Sequence, residues 1–396
     1  MQTGNGTTAS GENAHAEGAG TTASGVQSHA EGAGTRAIGA LSHAEGGGTN
    51  ASGGSSHAEG SGTTANGDQS HAEGAGTTAS GMQSHAEGGG TTATGVSSHA
   101  EGGSTTASGA QSHAEGYGGT YNVKQGTTTK TITSGAFYIA DHSEGYQTVA
   151  GRPLESGETR TIFGAHAEGY HTQATGDASH AEGSGTTASG ELSHAEGGGT
   201  RAIGAYSHAE GAGTTASGIQ SHAEGSGTTA SGELSHAEGG GTTASGVYSH
   251  AEGGGTQAIG AQSHAEGAGS LALGDQSHAE GSGTSASGIL SHAEGSGTTA
   301  SGAQSHAEGS GTKANHASQH VFGEYNIEDP STANVNNRGT YVEIVGNGTK
   351  SNARSNARTL DWSGNETLAG NLSVGGGSLT LGSGANAVTI TATQLR

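Results

Sequence analysis

Alanine and glycine recur along the chain at fixed places, and the polar residues between them keep equally fixed ones. A typical stretch reads Ser28-His29-Ala30-Glu31-Gly32-Ala33-Gly34-Thr35-Arg36-Ala37-Ile38-Gly39-Ala40-Leu41. It divides into two five-residue segments, Ser-His-Ala-Glu-Gly and Thr-x-Ala-Ser-Gly, joined by two-residue links. Successive residues of a strand point to opposite faces. The first segment then turns Ser, Ala and Gly to one face and His and Glu to the other. The second turns Thr, Ala and Gly inward and carries a variable residue and, as a rule, Ser outside. Small residues on both inner faces predict a thin roll of two nearly touching strands per coil, with Gly at the tight corners.

The histidines give the period. They run from His15 through His29, His43, His57, His71, His85 and His99 to His113, then from His166 every 14 residues to His306. A fixed period of this kind marks a solenoid. Three to five Gly per unit exclude a helix. Coils spaced by ~4.8 Å make a rod on the order of 90 Å from the two regular runs. Each coil covers its neighbour's edge, so only the rod ends need protection.

Variation within the repeat identifies the wet positions. The slot of Thr22 becomes Arg36, Asn50, Arg201, Gln257 and Lys313, which marks solvent. The slot of Ser24 becomes Ile38, Ile203, Ile259 and Leu273, an edge covered in places. The His and Glu slots do not vary in the regular coils, which predicts a face packed against something. That ladder (His29, Glu31, His43, Glu45, His180, Glu182, His194, Glu196 and their repeats) is read first as structural. Stacked carboxylates repel unless imidazoles share protons or hydrogen bonds with them, so paired rows would hold an interface. A bound cation, a pH switch and acid–base catalysis are weaker readings. No metal or cofactor is called for. Ser28 and His29 are strand neighbours and point apart, which rejects a Ser-His catalytic pair; an enzyme is not expected.

Composition removes the ordinary alternatives. Among 396 residues there are 81 Gly, 2 Pro, no Cys and only 13 aromatics, too little for a Leu/Ile/Phe core of normal size. Without the repeat such a chain would be read as disordered. The net charge of −23 argues against nucleic acid. Twenty of the 35 acids belong to nineteen His-Ala-Glu-Gly and one His-Ser-Glu-Gly sequence, so the acidity belongs to the repeat. The first 30 residues hold no Lys, Arg or apolar run, so no signal peptide is expected. No segment approaches the ~18 apolar residues of a membrane span.

The 14-residue period with Ala-x-Gly ending both segments resembles the YadA-like head of trimeric autotransporter adhesins. That resemblance, over about 270 residues, implies a left-handed parallel β-roll and a homotrimer. The sequence departs from it in placing His29 and Glu31 where the family carries apolar residues. The Ser-His-Ala-Glu-Gly wording is followed by Gln319-His320-Val321-Phe322-Gly323-Glu324-Tyr325-Asn326 and Ser355-Asn356-Ala357-Arg358-Thr359-Leu360-Asp361-Trp362-Ser363-Gly364-Asn365. Together these look like tail-fibre or minor structural proteins of phages infecting Gram-positive bacteria. This second resemblance implies a virion tail or extracellular surface location and a host-surface glycan or protein as partner.

Two consecutive coils carry extra residues, 15 between His113 and His142 and 10 between His142 and His166, predicted to protrude near one another. The stretch from Tyr117 to Tyr170 holds 7 of the 13 aromatics (Tyr117, Tyr121, Phe137, Tyr138, Tyr146, Phe163, Tyr170). Loops on a rigid scaffold commonly carry binding, and Tyr with Lys or Arg suits saccharide or protein contact. Tyr121, Lys124, Tyr138, Arg152 and Arg160 are therefore candidate ligand residues; the alternative is a hairpin that fixes register. His320, 14 residues after His306, is expected to end the roll in a modified coil. Beyond it Thr340–Val345, Asn371–Val374, Ser378–Leu381 and Ala387–Thr391 read as short strands.

The expected organisation is all-β: roll repeats over 1–116, interrupted coils over 117–165, roll repeats over 166–320, and a small β cap or tip over 321–396. The expected function is a structural and adhesive rod of a phage tail fibre or similar appendage that presents a host-binding element. An extracellular filament without receptor is the alternative. An ice-binding solenoid is a distant third, since Arg36, Arg201 and Lys313 interrupt the Thr-x-Ser row.

Overall fold

A computed structural model describes residues 2–125, 128–133, 135–137, 140–151, 164–372, 378–381 and 388–391, all of them strand, turn or irregular, with no helix. The chain forms two compact units, 1–254 and 255–396. In the first, sixteen five-residue strands begin at each ladder histidine, as in His15–Ala19 and His71–Ala75. Each pairs in parallel, and in register, with the strand one coil on: His71 with His85, Ala72 with Ala86, Glu73 with Glu87. The second segment is strand over two residues only, as in Thr22–Ala23 or Thr64–Ala65. These short strands also pair in parallel, Thr64 with Thr78 and Ala65 with Ala79. The chain is thus a parallel β-solenoid.

The inner faces are those the alternation dictates. Ser28, Ala30, Thr21 and Ala23 and their repeats are buried, the alanines fully. The core holds no side chain larger than Thr in the regular coils, so apolar burial per coil is small. Rows of backbone hydrogen bonds supply the cohesion: Thr22 N–H donates to Thr35 at 2.9 Å and His29 N–H to Ser42 at 2.9 Å. The buried serine hydroxyls are satisfied locally; Ser28 Oγ donates to the Gly25 carbonyl at 2.8 Å. That bond also holds Ser28 inside the roll, away from the imidazole of His29. The slot of Thr22 behaves as its variation implied, with Arg36 and Arg201 exposed, whereas Ile38 and Ile203, expected on a covered edge, are each 37% exposed within the single chain.

Both corners use left-handed backbone, which the sequence discloses only in part. At the first, Gly34 (φ +70°) donates its N–H back to Ala19 at 2.7 Å. At the second, Leu41 (φ +59°) donates to Val26 at 2.8 Å, and Gln27 does the same toward Glu12 at 2.7 Å. The positive φ is what aims this N–H at the preceding coil. Non-glycine residues accept a cost of about 1–2 kcal/mol at such a position. Side-chain ladders accompany them: Gln83 donates to Gln69 at 3.1 Å and Ser97 to Gln83 at 3.3 Å.

The stack runs through the interruptions without losing register. His113 pairs with His142, His142 with His166, and Ala107 with Ala136. The first insertion is an antiparallel hairpin, Thr120–Gln125 with Thr128–Thr133. It leaves after the long strand His113–Tyr117 and returns to the short strand Gly135–Ala136. The second leaves after the short strand Val149–Ala150 and returns to His166–Tyr170. The two insertions therefore depart from opposite corners of the roll, and the body of the second lies outside the described residues.

In the second unit the repeat continues through five long strands, the last being His320–Glu324, where Val321 fills the alanine slot and Phe322 the glutamate slot. Tyr341–Asn347 adds to it in parallel, Val321 opposite Ile344. Asn356–Asp361 and Glu366–Leu368 then follow antiparallel. The short-strand column ends on a side chain: Asn326 accepts from Lys313 N–H at 2.8 Å and donates to the Lys313 carbonyl at 3.1 Å. Its amide stands in for the next strand and satisfies an otherwise open edge. Buried Gln319 makes the neighbouring closure, accepting from Asn315 N–H and donating to Asp329. Burial alone would raise the Asp329 carboxyl, but the N–H groups of Tyr341 and Ser331 hold it below the ordinary range. Arg338 lies 4.2 Å over the Trp362 ring. Ser378–Leu381 and Val388–Thr391 are strands and pair with each other, whereas Asn371 and Leu372 are not strand and Ser373–Val374 fall outside the described residues.

Candidate functional site

The histidine–glutamate ladder is the most repeated chemical feature of the surface. Because a period of 14 returns every residue to the same place, imidazoles of successive coils lie over one another within each unit. Ring centroids of His57 and His71 are 4.8 Å apart at 2°, and those of His71 and His85 repeat that geometry. His29, His43, His180 and His194 lie in the same columns, stacked at 4.8 Å within each pair. The glutamates, Glu31, Glu45, Glu182 and Glu196 among them, stand two residues along on the same face. Within a single chain the face is half-buried: His57 keeps 35% of its side-chain surface and Glu59 47%.

The pairing inside the ladder differs from the hydrogen-bonded rows read from the sequence. In many coils Nε2 faces the carboxylate of its own coil, at 3.5 Å for His85–Glu87 and 3.9 Å for His57–Glu59, while His320 faces Glu308 of the preceding coil at 3.9 Å. These separations exceed a hydrogen bond. Nε2 of His57, His71, His85, His99 and His113 is shielded from solvent and makes no hydrogen bond within the chain. The column is held by imidazole stacking and the strand spacing. Burial lowers the pKa of His43, with the charge of neighbouring His57 adding to it and Glu45, Glu31 and Glu59 opposing. The same first cause, burial, acts on His71, His180 and His292.

The ladder is bordered by one distinctive corner. The two residues before the Ser-His step include Val26, Leu41, Met82, Val96, Leu192, Ile219 and Leu234, exposed between 37% and 57%. The opposite corner carries Gly, Ala or Ser in the regular coils of the first unit. Three consecutive coils depart from this, with Tyr117, Tyr146 and Tyr170 stacked at 5.5 and 5.1 Å. His171 packs edge-on against Tyr170 at 4.2 Å. This tyrosine stack was legible in the sequence, since the three residues share the spacing of His113, His142 and His166.

Of the candidate ligand residues, Tyr121 and Lys124 lie on the first hairpin strand, in register with Ile132 and Thr129. Tyr138, Arg152 and Arg160 lie outside the described residues. The structure therefore brings Tyr121 and Lys124 onto one strand and leaves the remainder of that constellation unplaced.

Fold and ladder together define a parallel β-solenoid repeat protein with a long imidazole–carboxylate face. No protein-family model matches the chain, and no curated protein matches it.

Proposed function

We propose that the chain is the rod of a tail fibre or similar adhesive appendage, assembled as a homotrimer through the ladder face and presenting a host-surface binding element. The observation that carries this reading is the combination of an unvarying half-buried ladder with an exposed apolar corner beside it. A rod exposed to water on all sides has no need to keep His and Glu at every coil. A second copy of the chain supplies the same periodicity and so matches the face coil for coil. Residues 321–396 serve as the cap, and the hairpin 120–133 as the displayed element. The role is architectural and not catalytic: twenty near-equivalent sites suit assembly, and Ser28 is turned away from His29.

Light scattering of the full chain at pH 7.5 should give about three times its 37.9 kDa mass. A monomer would remove the assembly reading. Alanine at Tyr121, Tyr138 and Arg152 should abolish binding to whole Gram-positive cells without changing that mass. Binding that survives removes the receptor role of this segment, while absence of binding by the unaltered trimer favours a plain extracellular spacer.

A further inference from the structure

We propose that the ladder is a column of transition-metal sites, each built from the imidazoles of two successive coils and the carboxylate of the first. His57, Glu59 and His71 offer one ligand atom each, all within 4.8 Å of one another. The same arrangement recurs at His71–Glu73–His85, His85–Glu87–His99 and His99–Glu101–His113. Every ligand of such a group comes from one chain, so the inference stands apart from the assembly reading.

Three features point to a cation. The Nε2–Oε2 gap of 3.5–4.0 Å is too long for a hydrogen bond yet suits two ligands sharing one ion at about 2.0–2.1 Å each. The Nε2 atoms of these coils are shielded and make no hydrogen bond within the chain, so no protein group competes with a cation for them. The donor set is also selective. Imidazole with carboxylate suits Zn²⁺, Ni²⁺ or Cu²⁺, whereas Mg²⁺ and Ca²⁺ take all-oxygen shells. The half-exposed face leaves room for water to complete the coordination.

The stacking sets the occupancy. His71 belongs to two groups, so adjacent groups compete for it. Rings 4.8 Å apart must also tilt together, closing the gap by about 1.4 Å for a tetrahedral ion, to share it. That tilt pairs a coil with one neighbour and parts it from the other. Two dications about 5 Å apart would moreover repel strongly. The column therefore fills every second interval, on the order of one ion per two coils.

The test uses the full chain freed of metal with a chelator and titrated calorimetrically with Zn²⁺ at pH 7.5, with Mg²⁺ in parallel and chain number followed by light scattering. Saturation near one Zn²⁺ per two coils, with no heat from Mg²⁺, is the expected result. Substituting Glu59, Glu73, Glu87 and Glu101 by Gln should remove about two ions per chain while the circular dichroism stays unchanged. Unaltered stoichiometry in that variant would overturn the proposal, because the carboxylates would then not be ligands. Should the variant fail to fold, Co²⁺ spectra of the unaltered chain decide: intense visible bands mark low-coordinate sites, and the weak spectrum of the hydrated ion overturns them. A monomer that binds Zn²⁺ in this ratio would defeat the trimer and leave the metal column standing.

Discussion

Replacing Gly74 by alanine is expected to cut the stack in two. Gly74 holds φ at +108°, and a Cβ there would lie 2.1 Å from the Gly88 carbonyl oxygen of the next coil. The backbone strain alone costs about 1–3 kcal/mol. The overlap cannot be relieved by a rotamer, because the obstacle is backbone, so adjacent coils must part and lose their hydrogen bonds. A loss of roughly 4 kcal/mol or more is expected from strain and overpacking together. Nearby glycines supply the contrast. Gly62 has φ +68° but open space around its Cβ direction, so Gly62→Ala should cost only the left-handed penalty of about 1–2 kcal/mol. Ser104, Gln147 and His171 already fill that slot in other coils. Gly47 has open space and no positive φ, and Gly47→Ala should be close to neutral. Urea unfolding of the three variants gives the order, and limited proteolysis should find a new cut near residue 74 in the first alone, since coils contact only their neighbours. Equal midpoints for Gly74→Ala and Gly62→Ala would show that the coils do not approach as closely as described.

The inner and outer faces were legible because alternation and period act on every copy alike: Ser28, Ala30, Thr21 and Ala23 lie inside, and Arg36 and Arg201 outside. In-register stacking followed from the same period, yet stacking of imidazole on imidazole did not, because the side-chain rotamer decides whether a ring meets its own glutamate or the ring one coil on. The left-handed corner at Gln27 and Leu41 left no residue signature. The demand there is for an N–H aimed at the preceding coil, and Gln, Ser, Leu and Tyr all meet it at modest cost. The opposite departure of the two insertions was hidden as well. Counting between histidines gives the length of an insertion but not which side of the two-residue strand it enters. The closure by Asn326 was beyond sequence reading, because one amide replaces a strand only when tertiary structure places it.

Acidification in metal-free buffer should destabilise the chain. His43, His57, His71 and His85 have pKa values lowered below the ordinary 6.5, by burial first and by adjacent imidazolium charge second. Glutamates of the same and adjoining coils oppose this without reversing it. The unfolded chain keeps its histidines near 6.5, so below that pH it binds more protons than the folded chain does. Stability is then full above about pH 6.5 and falls as pH drops toward the folded values. Each histidine is partly exposed and screened, so single contributions are small. The column adds them, since twelve of the ladder histidines shift in the same direction. A proton on one ring also opposes protonation of rings stacked on it. Urea midpoints should stay level between pH 8 and 7 and decline progressively through pH 6 and 5. Exchanging Glu45 and Glu59 for Gln removes the opposing charge near His43 and His57 and should steepen the decline. A midpoint that rises on acidification would reverse the sign: the folded ladder would then be gathering protons as His⁺–Glu⁻ pairs, and burial would no longer be the dominant influence on it.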